Sequence, residues 1–339
     1  MKFKAAILRK SRSPLSIEEI EFRDKLTPGQ VLVKIERTAI CGSQIGEIDA
    51  VKGPDPHLPH LLGHEAVALV VDSGTSTKCK DGDQVILHWI KCDGIDASAP
   101  KYFSSSGPIN AGQIATFGEF AVVSENRLTV IEKCDPHMLN AFATIGCALL
   151  TAYGTITYII GERRLGNVLV LGGGGLGQAA IFVLKHFINS TITLIEPNGA
   201  KMDYGKKMGA EMTLDSIKSI EDKGRFSAAI ETTGIPEVIE ASYEALDRNG
   251  VVALVGVTKA DQTITINPMP LHYGKEIVGI YGGSARPKID IPVLAEALIT
   301  SEFSVKLRYK EYSISQINQG IQEIRDGELV GRAILKLDS

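Results

Sequence analysis

Little in this 339-residue chain is set aside for crosslinking, for a membrane or for a polyanion. Its five cysteines, Cys41, Cys79, Cys92, Cys134 and Cys147, are odd in number, widely scattered and contain no Cys-x-x-Cys pair. A disulfide framework is therefore excluded, and each sulfur is either core filler or chemistry. Long apolar runs are missing too. The opening "MKFKAAILRKSRSP" holds only four apolar residues in succession, too few for a signal-peptide core, and no later stretch approaches the roughly 18 that span a bilayer. The expectation is a cytoplasmic protein without a membrane partner. An excess of positive charge is also lacking: the net charge is −4, with Lys and Arg spread along the chain, which argues against a nucleic-acid partner and for a small molecule.

What is present reads in two grammars, as the length prior of about two domains requires. Up to about residue 149 the text is β-rich: "AAIL", "QVLVKIERTAI", "AVALVVDSG", "DQVILHWI" and "GEFAVVSENRLTVI" are β-branched runs bounded by Pro, Gly or Asp. Between them Cys92 to about Gly118 is rich in Ser, Gly, Ala and Pro and reads as a long surface loop. From 150 to 283 strands and helices alternate. "NVLVL", "TITLIE", "FSAAIETTG" and "VVALVGV" are strands; "GLGQAAIFVLKHFI", "NGAKMDYGKKM" and "PEVIEASYEALDRNG" are helices. "VVALVGV" is apolar on both faces, as a covered parallel strand must be. This predicts a doubly wound parallel-sheet α/β domain, followed over 284–339 by helix, strand, helix and strand ending in "GRAILKL".

"VLVLGGGGLGQAA" contains Gly172-x-Gly174-x-x-Gly177 directly after a strand and opening a helix. Gly172 permits the tight turn, Gly174 lets the backbone approach a pyrophosphate, and Gly177 lets helix and strand pack closely. Gly175 and Leu176 stand where the helix N-terminus offers unpaired N–H groups to an anion. Glu196 ends the next strand 19 residues on, where its carboxylate can accept from the adenosine ribose hydroxyls and repel a 2′-phosphate. The neighbouring Pro197 and Asn198 supply no Arg for that phosphate. The cofactor expected is NAD(H) rather than NADP(H).

"HLLGHEAVALVV" places His64 and Glu65 before a strand, and "ATIGCALLTAYG" places Cys147 where the two grammars meet. With Cys41 of "RTAICGSQIGEI" these residues make two thiolates and an imidazole with a fourth position left open, a count that suits a catalytic zinc. Taken one at a time, each cysteine reads equally as buried filler and His64 as a satisfied core histidine.

In order along the chain, "CGSQ", "LLGHEAVALVVDSG", "GDQV", "GCALLTAYG", the glycine-rich turn, "LVGV", "YGGSARP" and "GRAIL" resemble the zinc-dependent medium-chain alcohol dehydrogenases over essentially the whole length. The resemblance implies a GroES-like β-rich catalytic domain over 1–149, completed by 284–339, and a Rossmann NAD-binding domain over 150–283. It implies hydride transfer between an alcohol and NAD+, with Cys41, His64 and Cys147 as zinc ligands and Glu65 as the carboxylate beside them. Ser43 matches the hydroxyl that takes the alcohol's proton, and Thr151 the residue packed on the nicotinamide. Val255 and Val257 match main-chain contacts to the nicotinamide carboxamide and ribose, Lys201 an adenosine-ribose contact, and Arg332 a pyrophosphate contact. Trp89 matches a substrate-pocket position, and reads equally as a core aromatic at a strand end. Relatives form homodimers through the nucleotide-domain sheet edge, or homotetramers from two such pairs; "KEIVGIYGG" (275–283) is the expected edge strand.

Three departures stand out. Gln44 occupies the place of a common Asp, so the partner of the zinc-binding imidazole is a neutral amide; Gly46 stands where relatives often carry a His, leaving Glu47 as the neighbouring substitute in the proton path. Many relatives also carry four closely spaced cysteines after the "HWIKC" region, where this chain has Cys92 alone, so one zinc per subunit and no structural zinc is expected. His88, Lys91, Arg286 and Lys288 place hydrogen-bond donors around the expected substrate and point to a polar secondary alcohol, a polyol or a sugar-derived alcohol. The alternatives are a metal-free NADPH-dependent quinone or enone reductase of the same superfamily, and a non-catalytic nucleotide-binding protein.

Overall fold

The computed structural model describes residues 1–161, 165–220, 224–302 and 306–337. The chain divides into two compact units, one of Met1–Cys147, Arg286–Thr300 and Tyr309–Ser339, the other of Ala148–Ala285 and Ser301–Arg308.

The first unit is built on the strand Gln30–Ala39, whose residues alternate: Val31, Val33 and Ile35 are buried, while Lys34 and Glu36 reach outward. A strand with that period must cover one face. Ala66, Ala68 and Val70 of Glu65–Asp72 and Val85 and Leu87 of Gln84–His88 extend that apolar face across the sheet, and Leu8, Ile45, Ile48, Ile317 and Ile321 join it in one buried cluster. Strand register decides which residues become neighbours. Glu65–Asp72 runs antiparallel to Gln30–Ala39 with Thr38 opposite Ala66, and Glu65 lies opposite His88. The strand Arg332–Lys336 pairs with the other side of Gln30–Ala39, Ile334 opposite Ala39. The C-terminal end of one strand and the N-terminal ends of two others thus meet at one end of the sheet.

The stretch expected as a surface loop contains a hairpin, Tyr102–Ser104 with Gly107–Ile109. Its anchor is Tyr102, 1% exposed, edge-on to Phe3 at 5.8 Å, with its hydroxyl oxygen accepting from the Val122 N–H at 2.8 Å. The Ser/Gly/Pro composition hid one aromatic that holds the segment in the core.

The second unit carries six parallel strands in the spatial order Met212–Leu214, Thr191–Ile195, Asn167–Leu171, Phe226–Glu231, Leu246–Leu254, Glu276–Gly279. Numbered within the unit this is 3-2-1-4-5-6, the doubly wound order whose ligands bind beyond the strand ends where the winding reverses. Val168, Leu169, Val170 and Leu171 are shut off from solvent, as a strand covered on both faces requires. Glu276–Gly279 lies at the sheet's edge.

Candidate functional site

One donor atom from each of Cys41, His64, Glu65 and Cys147 lies within 4.8 Å of the others. Cys41 follows the strand Gln30–Ala39 in extended conformation and caps the helix Gly42–Ile48. His64 and Glu65 open the neighbouring antiparallel strand. Cys147 arrives on the helical turn Ile145–Leu149, and the residue before it explains how. A Cβ on Gly146 would stand 2.0 Å from the Leu87 carbonyl oxygen and 3.2 Å from Glu65 Cβ, so only glycine lets this turn press onto the sheet and deliver the thiol.

The donor set fits zinc. Two Zn–S bonds of about 2.3 Å at the tetrahedral angle separate their sulfurs by about 3.8 Å; Cys41 Sγ and Cys147 Sγ are 4.0 Å apart. His64 Nδ1 is taken by the Gln44 side-chain NH2 at 2.9 Å, whereas Nε2 is sealed from solvent with no hydrogen-bond partner. A buried imidazole nitrogen without a partner, beside two thiols, is a donor suited to a soft cation.

The charges agree. A hydrogen bond shared with the Cys147 sulfur, despite burial, holds the Cys41 thiol well below its ordinary ionisation range, with help from His64 and Arg332. The same shared proton, with burial, pushes Cys147 well above it. Burial would lower His64, but the Cys41 sulfur raises it on balance. Glu65 is fully buried and accepts from the Arg332 guanidinium, itself 9% exposed. Burial opposes the Arg332 charge, yet Glu65 and the two sulfurs raise its pKa further. Placing Arg332 against Glu65 is the part of this site that reading along the chain did not foresee.

The remaining candidates of the first unit are dispersed. The Ser43 hydroxyl is exposed and donates to Cys41 Sγ at 3.3 Å. Trp89 is half-buried after the strand Gln84–His88, its carbonyl accepting from Arg127. Cys92 Sγ accepts from Lys78 Nζ at 3.5 Å. The expected role of His88 as a substrate donor is overturned. Its ring is fully buried, with Nδ1 2.7 Å from the Ile90 carbonyl and Nε2 3.1 Å from Thr129 Oγ1, because every residue of Gln84–His88 lies in the core. Lys91 is paired with Asp96 at 2.7 Å and Lys288 with Asp93 at 2.9 Å.

In the second unit, Gly172 sits at φ 95°, a left-handed conformation that glycine alone adopts cheaply. Gly174 caps the helix Gly175–Val183, so Gly175 and Leu176 form its open N-terminus. A Cβ on Gly177 would stand 1.8 Å from the Gly172 carbonyl oxygen, so the third glycine is what allows helix and turn to touch. Glu196 fastens the loop: Oε2 accepts from the Gly173 N–H at 2.7 Å and Oε1 from the Asn198 N–H at 2.9 Å. The Asn198 side chain accepts from Ala200 and Lys201 at the head of the next helix. Thr151 is buried in the helix Leu150–Gly154. The Val255 and Gly256 amides donate to the Glu231 carbonyl, leaving Val257 63% exposed. Glu231, not singled out from the sequence, is fully buried and its carboxylate accepts from the amides of Thr233 and Gly234; the acid ending "FSAAIE" before Thr-Thr-Gly was the available signal.

Among the described residues no single helix is long and apolar enough to cross a membrane. The alcohol dehydrogenase GroES-like domain family matches residues 27–133, and the zinc-binding dehydrogenase family matches residues 175–299. Over 98% of this chain and 99% of the relative, the alcohol dehydrogenase of Geobacillus stearothermophilus is 27% identical. The NDMA-dependent alcohol dehydrogenase of Amycolatopsis methanolica is 26% identical over 99% of each chain. An alcohol dehydrogenase zinc-binding domain protein from Burkholderia ambifaria shares the fold over the full length of both chains, with a TM-score of 0.90 at 24% identity. With a GroES-like and a Rossmann domain in that order, and relatives matched from end to end, the chain belongs to the zinc-type medium-chain alcohol dehydrogenases.

Proposed function

We propose that this oxidoreductase transfers hydride between an alcohol and NAD+ using one zinc ion per chain, held by Cys41, His64 and Cys147. The convergence of those donor atoms within 4.8 Å, with His64 Nε2 left without a partner, carries the reading. When bound, zinc supplies a Lewis acid at the alcohol oxygen and NAD+ supplies the hydride acceptor. The chain's own residues do the rest. Cys41 and Cys147 provide thiolate charge, and Arg332 offsets the negative charge that they and Glu65 concentrate in a buried place. Ser43, exposed beside Cys41, receives the alcohol's proton and passes it to water. The open helix end at Gly175 and Leu176 binds the pyrophosphate. Glu196 has both oxygens engaged by amides on the loop, and a carboxylate at the end of that strand would repel a 2′-phosphate, which favours NAD(H). Thr151, Lys201, Val255 and Val257 complete the nucleotide contacts.

Cys92 brings a lone thiol to its loop, which supports one zinc rather than two. The preference for a polyol or sugar-derived alcohol loses three of the four donors it was built on, since His88 is internal and Lys91 and Lys288 are paired; Trp89 remains the pocket residue proposed. The edge strand Glu276–Gly279 is the surface through which two copies would join. Metal analysis of the purified protein tests the reading: about one zinc per chain, lost together with NAD+-dependent alcohol turnover in Cys41→Ser, supports it. Metal-free protein that still turns over, or a preference for NADPH, refutes it.

A further inference from the structure

The amide of Gln44, 1% exposed, touches two of the three metal ligands at once. One of its atoms lies 3.1 Å from the Cys41 backbone nitrogen, at the cap of the helix Gly42–Ile48. A backbone N–H can only donate, so that atom is the oxygen. The atom 2.9 Å from His64 Nδ1 is then the NH2 group, which also can only donate. Nδ1 is therefore an acceptor, and a neutral ring carries its single proton on Nε2, the nitrogen left without a partner.

That is the wrong tautomer for a metal. A cation binding Nε2 displaces the proton there, and the ring stays neutral only if Nδ1 takes it up and finds an acceptor. Gln44 can offer one only by turning its amide over, which aims the NH2 group at the Cys41 N–H and leaves that donor without its acceptor. A carboxylate of the same length faces no such choice, because each oxygen accepts on its own side.

Resting on the zinc reading above, we propose that Gln44 is a positioning residue that limits the metal affinity of this site: it holds His64 in the tautomer that must be given up on loading, and couples zinc uptake to release of the Cys41 backbone. The isosteric Gln44→Glu removes the conflict while keeping the bond to Cys41. Partners of metal-binding histidines alter metal affinity by about 10–100-fold, so zinc competition against a chromophoric chelator should show Gln44→Glu binding at least about tenfold more tightly than the wild type. Affinities equal within about twofold overturn the proposal, since a residue that merely caps the helix would leave them unchanged. Zinc bound by neither protein overturns the metal reading and the proposal together. Wild-type protein alone gives a second measurement that needs no variant to fold. Long-range 1H–15N spectra of the zinc-free chain, at a pH where the ring is neutral, should place the His64 proton on Nε2; a proton on Nδ1 overturns the proposal while leaving the zinc reading intact.

Discussion

Removing Arg332 should cost this protein more than any surface change, and the structure gives the size. Arg332→Met deletes the positive member of an ion pair whose carboxylate, Glu65, has no solvent exposure and sits among two thiols. Two unit charges about 4 Å apart attract by about 4 kcal/mol at an effective dielectric of about 20. Breaking a buried pair from one side costs about 3–5 kcal/mol, because the survivor is left charged and dry. Glu65→Gln should destabilise as well, by stranding the guanidinium. The double variant Arg332→Met/Glu65→Gln strands nothing, and its cost should fall short of the two single costs combined by about 2–3 kcal/mol. Urea denaturation of the metal-free proteins at one pH measures all three, with equal slopes required before midpoints are compared. Arg332 also favours ionised thiols at Cys41 and Cys147, so thiolate absorbance should appear at higher pH in Arg332→Met. Single variants each costing under about 1 kcal/mol, or costs that add without remainder, would show that the pair is not coupled and refute the electrostatic account.

Burial pushes the His88 pKa down to about 4 from an ordinary 6.5, with the ring neutral in the fold. The unfolded chain therefore binds a proton that the native state refuses between those values; stability is full above pH 6.5 and declines as pH falls toward 4. Between pH 7 and pH 5 this amounts to about 2 kcal/mol, which His88→Gln should remove from the pH dependence of urea midpoints; an unchanged slope refutes the assignment. Gly177→Ala drives a methyl into the Gly172 carbonyl, an overpacking expected to cost about 1–3 kcal/mol and to weaken NADH binding by about tenfold in fluorescence titration. Wild-type affinity for NADH from that variant would mean that the turn does not carry the pyrophosphate. Glu196→Gln puts an NH2 group against the Gly173 or Asn198 amide and removes the charge; the NADH-over-NADPH affinity ratio should drop by about tenfold, and a ratio that holds would place cofactor choice elsewhere.

Strand identity was legible wherever burial dictates a period. Val31, Val33 and Ile35 alternate because one face is covered, and Val168–Leu171 run apolar without a break because two are. The glycine fingerprint was legible because two of its glycines answer local steric demands, Gly172 a left-handed turn and Gly177 a close approach to the Gly172 carbonyl. What could not be read depends on contacts made at long range. Arg332 and Glu65 are 267 positions apart and meet only because the strand Arg332–Lys336 returns beside Gln30–Ala39. His88 looked available for chemistry because a single letter does not say which way a strand-end ring faces. Tyr102 turned a polar stretch into a packed hairpin. Gly146 reads as an ordinary helix residue until Leu87 is set against it. The orientation of the Gln44 amide is decided by a backbone donor three residues away, a matter of atoms rather than of residue type.

The strand Arg332–Lys336 supplies both a flank of the first unit's sheet and the counter-charge of its most buried acid. During synthesis, then, the first half of the polypeptide emerges with a naked carboxylate and an unfilled sheet edge, and neither is satisfied until residue 332 and its neighbours have left the ribosome. Premature termination a few codons before Arg332 would spare every cysteine, histidine and glycine of the two candidate sites and still leave Glu65 without its counter-charge and the end of Gln30–Ala39 without its neighbour.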